Sequence, residues 1–547
     1  MALTEVPAPE ALFGRQPVSV TAPAVRWPRL NGLRLTAFGA ALLVIMPLIA
    51  VTALAVQPAE AGPGADVLLR YARDTALLAL GVAAGATTLG ALAAWLVVMH
   101  RFPGRAVFEW ALALPLAAPA YVLAYGWADL LDVAGPVQTA LRGAGLDPSW
   151  LQVRSLPGAV LVLSFAFYPY VYLTARAAFL SQPSCSLEAA RTLGCNPRAA
   201  FFRVALPLAR PALAAGAALA VMETLAEYGA VTHLGVQTLT TGVVRAFASY
   251  GSAEAAARLS LVLLGAAALM LWLERSGRGG QAYSARSGRG LRPAPLQGWT
   301  GWAATAFCTA LLTAALLLPA AWLAVRAGQA SPDLARLTRA AATSLGMAGA
   351  GTAVTVALAV AIAFGARGRS AWPARLASLG YATPGAVMAI GLLAPAALLW
   401  RSASAPVAGT VTALILLLYA YAARLTAAAL EPIDAGLTRV TPSMERAARL
   451  LGESEAGALR RVHAPIARGA LWTAALLVFV DVLKELPATL ILRPFNFDTL
   501  AVTASNYALD ERLDQAAWPA LLLIALAIGP VLFLSRRIAR SRPGRPG

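Results

Sequence analysis

The sequence has 547 residues and a single lysine, Lys484. A phosphate-binding loop needs Gly-x-x-x-x-Gly-Lys-Ser/Thr, so that backbone amides and a lysine can hold nucleotide phosphates. Lys484 stands instead in Lys484-Glu485-Leu486-Pro487, and ATP hydrolysis by that route is excluded. Charge is scarce: Asp, Glu, Lys and Arg make up 13% of the chain, against about 25% in an ordinary soluble domain. Cys185, Cys195 and Cys308 are the only cysteines and give neither a disulfide frame nor a metal spacing. His100, His233 and His463 are scattered, form no zinc motif and read as ordinary interfacial residues. No nucleophile and base stand in a defensible set, which leaves an intramembrane enzyme without support.

Apolar residues dominate what is there, at 59% of the chain with a mean hydropathy of +0.67. A membrane span needs about 20 such residues. Twelve runs qualify, near 35–57, 75–98, 107–131, 156–180, 206–232, 255–273, 301–325, 342–365, 377–400, 407–430, 466–492 and 516–535. The expectation is an all-α polytopic membrane protein with no soluble domain. Residues 1–34 carry Arg15, Arg26, Arg29 and Arg34 among prolines and read as a disordered cytoplasmic tail, and the run behind them is too long for a cleaved signal. Residues 275–298, rich in Gly, Arg and Ser, divide the chain into a first unit at 35–274 and a second at 299–535, and residues 536–547 form a basic C-terminal tail. The net charge of +18 does not call for nucleic acid. With the N-terminus inside and alternating spans, the arginines collect in cytoplasmic segments and the other side carries an excess of acid, as the positive-inside rule requires. Both termini are then cytoplasmic.

One element occurs twice. Leu187-Glu188-Ala189-Ala190-Arg191-Thr192-Leu193-Gly194 is followed by Val204-Ala205-Leu206-Pro207. Met444-Glu445-Arg446-Ala447-Ala448-Arg449-Leu450-Leu451-Gly452, 258 residues on, is followed at the same distance by Val462-His463-Ala464-Pro465. Each copy describes a short helix, a break and a second helix. Thr441-Pro442 gives an N-cap and a first-turn proline, Gly194 and Gly452 stand where a helix end wants positive φ, and Asn196 and Ser454 are N-caps for the second helix. Both copies fall on the cytoplasmic side.

Intramembrane acids repeat with the same offset. Glu223 and Glu227, in Glu223-Thr224-Leu225-Ala226-Glu227-Tyr228-Gly229, align with Asp481 and Glu485, in Asp481-Val482-Leu483-Lys484-Glu485-Leu486-Pro487. A charge at mid-membrane costs about 2.5–3.5 kcal/mol on insertion scales, so these residues need partners or a water-filled path. The spacing of four predicts each pair on one helix face, with Lys484 pointing elsewhere. A substrate pathway through Glu223, Glu227, Asp481, Lys484 and Glu485 and a set of interhelical clamps are both open. Prolines in Leu114-Pro115-Leu116-Ala117-Ala118-Pro119 remove backbone donors inside a span and demand satisfaction from neighbouring helices or water. Gly81, Gly85 and Gly90 form a small-residue spacing for close helix approach.

The duplicated element resembles the EAA loop of ABC-importer permeases, in which Glu-Ala-Ala, three residues, Gly, nine residues and Ile-x-Leu-Pro form the part that docks on the ATPase. The first copy matches with Val204 for Ile; the second has Arg446 at the Glu position, Glu445 one residue early and Ala464 for Leu. The run Asp481 to Leu490, continued by Leu492-Arg493-Pro494-Phe495 and Phe497-Asp498-Thr499-Leu500-Ala501, together with Phe102-Pro103-Gly104-Arg105 and Met222-Glu223-Thr224-Leu225, resembles the fused two-domain iron(III) permeases. That resemblance implies a type I ABC-importer permease fold of two homologous six-span halves in the bacterial inner membrane. It implies an ATPase homodimer that uses ATP and grips Glu188, Ala189, Ala190, Gly194 and Pro207 in one loop and Glu445, Ala447, Ala448, Gly452 and Pro465 in the other. It also implies an external binding protein that delivers ferric iron, with no cofactor or stably bound metal in this chain and Lys484 or Arg493 tempering the acids. Thiamine, sulfate, molybdate and polyamine permeases share the plan and leave the cargo open. An ion-coupled secondary transporter would explain the buried acids but not the twin loops.

Overall fold

A computed structural model of the chain describes residues 31–59, 62–182, 192, 194–277, 293–366, 372–381, 383–402 and 406–540. Most of the expected N-terminal tail, the middle of the linker and the last residues of the C-terminal tail lie outside them, as do Glu188, Ala189 and Ala190. Among the described residues the only strand pairing is two residues long and parallel, His100 with Ala294 and Arg101 with Pro295, and it seats the end of the linker on the segment that follows the helix Ala65–Met99. The rest is helix and connecting loop.

Ten helices are long and apolar enough to cross a membrane. Among the described residues two bent pairs, Arg105–Ala117 with Ala120–Gly143 at 91° and Trp372–Gly380 with Gly385–Leu393 at 98°, bring the number to twelve when each pair is counted as one span. The straight spans expected at 107–131 and 377–400 are therefore broken. Proline is the cause in both. Pro115 and Pro119 lack amide protons and Ala118, before Pro119, is extended at φ −89°, ψ 127°; Thr383 precedes Pro384, and a residue before proline is pushed out of the helical region. Carbonyls orphaned by the first break find phenols. Tyr168 Oη donates to the Leu112 carbonyl at 2.9 Å and Tyr172 Oη to the Glu109 carbonyl at 2.8 Å. Both tyrosines are fully buried.

The first span of each half lies on the other half. Asn31–Ala55 packs on Leu334–Ala366, Trp372–Tyr381 and Gly385–Ser402, while Trp299–Leu312 and Leu318–Ala327 pack on Ala65–Met99, Arg105–Ala111 and Ala120–Leu131. Each exchanged span sets a proline against a glycine. A Cβ at Gly126 would stand 2.8 Å from Pro319 Cβ, and one at Gly391 would stand 2.8 Å from the Pro47 carbonyl carbon, too close for any side chain. Within the first half, Gly81, Gly85 and Gly90 face Val160, Ser164 and Val171, so the small-residue stripe brings Ala65–Met99 against Leu156–Ser181. A buried ion pair, Arg176 with Glu109 at 2.6 Å, joins Leu156–Ser181 to Arg105–Ala111.

The fifth crossings depart from expectation in the same way. Runs at 206–232 and 466–492 predict continuous helices, but the helices are Leu206–Ala226 and Ala464–Leu483, and each is followed by a break and a short helix, Gly229–His233 and Pro487–Leu492. Helices Leu239–Ala248 and Leu500–Leu509 then lead into the last crossings.

Candidate translocation site

Both helix breaks fall on the intramembrane acids. Glu227 follows the last residue of its helix with extended backbone at φ −72°, ψ 128°. Lys484 ends the other, and Glu485 lies beyond it. The second acid of each pair is thus off the helix, which corrects the expectation of one shared face. Each instead accepts from the short helix that follows: the Ala230 amide donates to Glu227 Oε1 at 2.8 Å, and the Ala488 and Thr489 amides donate to Glu485 Oε1 and Oε2, both at 3.1 Å. Ala230 and Ala488 are again 258 apart. A carboxylate at a helix start satisfies orphan amides and faces the positive end of the helix dipole, so it offsets part of its own desolvation.

Glu223, Glu227, Asp481, Lys484 and Glu485 all line one cavity of about 70 Å³ between the halves. Lys484 therefore does not point elsewhere; it pairs with Asp481 at 3.0 Å across one helix turn. Arg424, which the sequence reading missed, reaches the cavity from Pro406–Leu437 and pairs with the buried Glu485 at 3.4 Å. Its signal was an arginine inside an apolar run, Tyr421-Ala422-Ala423-Arg424-Leu425. Arg493 does not line the cavity and pairs with Asp498. Tyr121, placed by the break at Pro119, and Tyr170 close the wall. Among the described residues no group of three or more His, Cys, Asp or Glu stands close enough to hold a metal ion.

A larger cavity of about 510 Å³ adjoins the first and shares Asp481 and Lys484 with it. It runs between the halves past Thr174, Ala215, Glu431 and Thr473 toward the duplicated loops. On the far side the two breaks abut: a Cβ on Gly229 would lie 2.9 Å from Leu486 Cδ2 and 2.7 Å from Tyr121 Cβ. The small cavity is therefore sealed on one side and reached on the other.

In the loops, Gly194 and Gly452 both have φ +81°, and nothing stands within 4 Å of a Cβ built on either. The Ala199 amide donates to Asn196 Oδ1 at 2.7 Å and the Gly457 amide to Ser454 Oγ at 3.1 Å, which starts the second helix in each copy. Pro442–Leu450 begins at its proline, although the Thr441 hydroxyl bonds Ser443 Oγ rather than a backbone amide. Both second helices pass through a π-helical turn, Phe201–Ala205 and Leu459–His463, immediately before Leu206–Ala226 and Ala464–Leu483. Pro207 and Pro465 come just after those turns, at the start of the α-helical segments. The copies differ in what pins the turn. Gln182 Nε2 donates to the Ala205 carbonyl at 2.8 Å in the first. In the second, His463 is buried, 3.0 Å from both Glu445 Oε1 and the Ala458 carbonyl, so it is not an interfacial residue. Glu445 is turned inward to that histidine, Ala448 is buried, and Ala447 is exposed beside Leu450 and Leu451, which are 89% and 84% exposed.

Ten long apolar helices and two bent pairs in two halves, exchanged first spans and a polar cavity between the halves match a type I ABC-importer permease fold. Residues 86–329 match the family model of the binding-protein-dependent transport system inner membrane component. The chain as a whole resembles the fused two-domain iron(III) permeases: it is 27% identical over 481 residues to the Fe(3+)-transport system permease protein FbpB 2 of Haemophilus influenzae, covering 85% of this chain and 89% of that protein. It is also similar to the molybdenum transport system permease protein ModB of Escherichia coli, 29% identical over 35% of this chain and 86% of that protein. The sulfate transport system permease protein CysT of Salmonella typhimurium is 32% identical over 26% of this chain and 51% of its own length. These likenesses are all to permease subunits of binding-protein-dependent importers, and the fold agrees with them.

Proposed function

We propose that this chain is a permease that imports ferric iron handed over by an external binding protein, driven by a separate ATPase pair that hydrolyses ATP. The observation that carries the cargo is the cavity, where four carboxylates, Glu223, Glu227, Asp481 and Glu485, meet two cations, Arg424 and Lys484. An excess of acid favours a cation and opposes sulfate or molybdate, and about 70 Å³ suits an ion better than thiamine or a polyamine. Ferric iron prefers hard oxygen ligands, and the likeness to an Fe(3+)-transport permease points the same way.

Coupling follows from continuity. Glu188, Ala189, Ala190, Gly194 and Pro207 in one loop, and Glu445, Ala447, Ala448, Gly452 and Pro465 in the other, form the two ATPase grips, with the exposed Leu450 and Leu451 covered on docking. From each grip a helix of about 20 residues, roughly 30 Å long, ends at Glu227 or Glu485. Closure of the ATPase pair moves these helix ends and parts the Gly229 and Leu486 contact, while the larger cavity closes. With both loops and both termini cytoplasmic, the described state is open to the cytoplasm.

The test is reconstitution of the permease with the ATPase and binding protein that copurify with it. Radioactive ferric iron should accumulate in proteoliposomes only with ATP and binding protein present. Uptake of sulfate, molybdate or thiamine in place of iron would reject the cargo.

A further inference from the structure

The acids of the cavity obey the pseudo-twofold and the bases break it. Arg424 and Lys484 both belong to the second half; 258 residues earlier stand Ala166 and Ala226, which also line the cavity. Direct pairing is accordingly one-sided, although the charges of Arg424 and Lys484 also reach Glu223, and that of Arg424 reaches Glu227. Asp481 is paired with Lys484, and Glu485 with Arg424 and two backbone amides. On the first-half wall, Glu223 makes no direct hydrogen bond or contact ion pair among the described residues, and Glu227 accepts from the Ala230 amide at 2.8 Å with the Gly229 amide beside it. Both are partly exposed to the cavity.

A third first-half oxygen is buried in the wall of the same space, near Glu227 and Glu485. Tyr121 lines the cavity, is 3% exposed, and its hydroxyl is buried with no hydrogen-bond partner. Packing holds the ring without using the hydroxyl, since Tyr121 stands against Tyr125 at 5.8 Å between ring centroids and its Cβ lies against Gly229 at the seal. A buried hydroxyl left unbonded costs about 1–3 kcal/mol. Such a cost is retained where the group has a partner that comes and goes.

We propose that Glu223, Glu227 and Tyr121 form the transit site for the cargo, a one-sided set of two carboxylates and a phenol that holds a hard, highly charged cation through oxygen. Asp481 and Glu485 are held by their own bases and serve as clamps that fix the second-half wall. The inference rests on the proposed cation cargo and divides the four acids into two roles. A site open on one side suits transport, because binding must be weak enough to release. The phenol binds as a neutral oxygen donor, with no proton transferred, and its place beside Gly229 puts the cation at the seal that must open to admit it.

The test uses the reconstituted complex with its ATPase and binding protein, with ferric iron as cargo and gallium(III), a redox-inert ion of equal charge, as competitor. Tyr121→Phe, Glu223→Gln and Glu227→Gln are each expected to raise the KM for ferric iron about tenfold or more and to weaken gallium competition in proportion, the loss of one charge-assisted contact. Asp481→Asn and the double variant Arg424→Met/Glu485→Gln should alter kcat or thermal stability and leave KM within about twofold. Unchanged KM in the three first-half variants, or an equal rise in the second-half ones, overturns the proposal. Should Tyr121→Phe fail to assemble with the ATPase, Glu223→Gln decides, because Glu223 has no bond within the described structure whose loss would unfold it. If wild type carries neither ferric iron nor gallium but another cargo, the cargo reading falls, and that failure is visible before any variant is made.

Discussion

The two halves share their backbone devices and differ in their charges. Positive φ at Gly194 and Gly452, π-helical turns at 201–205 and 459–463, helix ends at Ala226 and Leu483, and amides 230 and 488 on the acids all recur. Side-chain partners do not recur: Arg424, Lys484 and His463 stand opposite Ala166, Ala226 and Ala205. A mechanism in which both halves move together constrains the backbone twice. The charge in a single central cavity has to be balanced only once, from either side.

The largest test of that contrast is Arg424→Ala. It strands Glu485 in a buried place, and breaking a buried pair from one side costs about 3–5 kcal/mol. Thermal unfolding in detergent should drop sharply, and Arg424→Met with Glu485→Gln should recover most of the loss. No loss in the single variant would show that the two amides alone neutralise Glu485.

The exchanged spans come next. Gly126→Val and Gly391→Val each push a side chain into a proline and should destabilise by about 1–3 kcal/mol, the cost of overpacking. Equal drops in Tm are expected because the device is duplicated, and a drop in one half alone would break the symmetry. Gly194→Val and Gly452→Val follow, at about 1–2 kcal/mol of local backbone strain with no clash, since the space around both is open. Membrane insertion should survive while iron uptake falls; wild-type uptake with normal ATPase binding would remove the loop from coupling.

The smallest effect concerns the displaced acid. A double-mutant cycle on Glu445→Ala and His463→Ala should give a coupling energy on the order of 0.5–1 kcal/mol, the low end for contacting residues, read by chemical or thermal unfolding. Glu188→Ala should weaken ATPase coupling more than Glu445→Ala, because Glu445 is spent on His463 and does not face outward. Equal losses of ATP-driven uptake would show that the inward-turned acid still docks.

Much of this architecture was legible because it is written in local pattern. Of the twelve apolar runs ten are long apolar helices and two are bent pairs, and the 258-residue offset marks the repeat in both loops and acids. Glycine and Asn or Ser at fixed places mark the helix-turn-helix, because φ +81° and an N-cap are demands on single residues. The breaks were harder. Pro115 and Pro119 announce one, but Leu206–Ala226 ends at Glu227-Tyr228-Gly229 with no proline, so an apolar run reads straight through it. His463 read as an ordinary interfacial residue because its partner, Glu445, lies across a turn of the chain that hydropathy does not record.

The sequence by itself determined a membrane-embedded, two-half, helical chain without a phosphate-binding loop of the Gly-x-x-x-x-Gly-Lys-Ser/Thr form, because composition, periodicity and the lone lysine are properties of the chain in any conformation. Only the tertiary structure decided that Glu223, Glu227, Asp481 and Glu485 share a cavity, that Arg424 joins them from another helix, and that Tyr121 lies in its wall with an unbonded hydroxyl. Those facts depend on how helices distant in sequence cross in space. The acid pattern is fixed by a repeat along the chain, but its neutralisation is fixed by distance, and Coulombic pairing in a low-dielectric interior turns on a few ångströms that no spacing rule supplies.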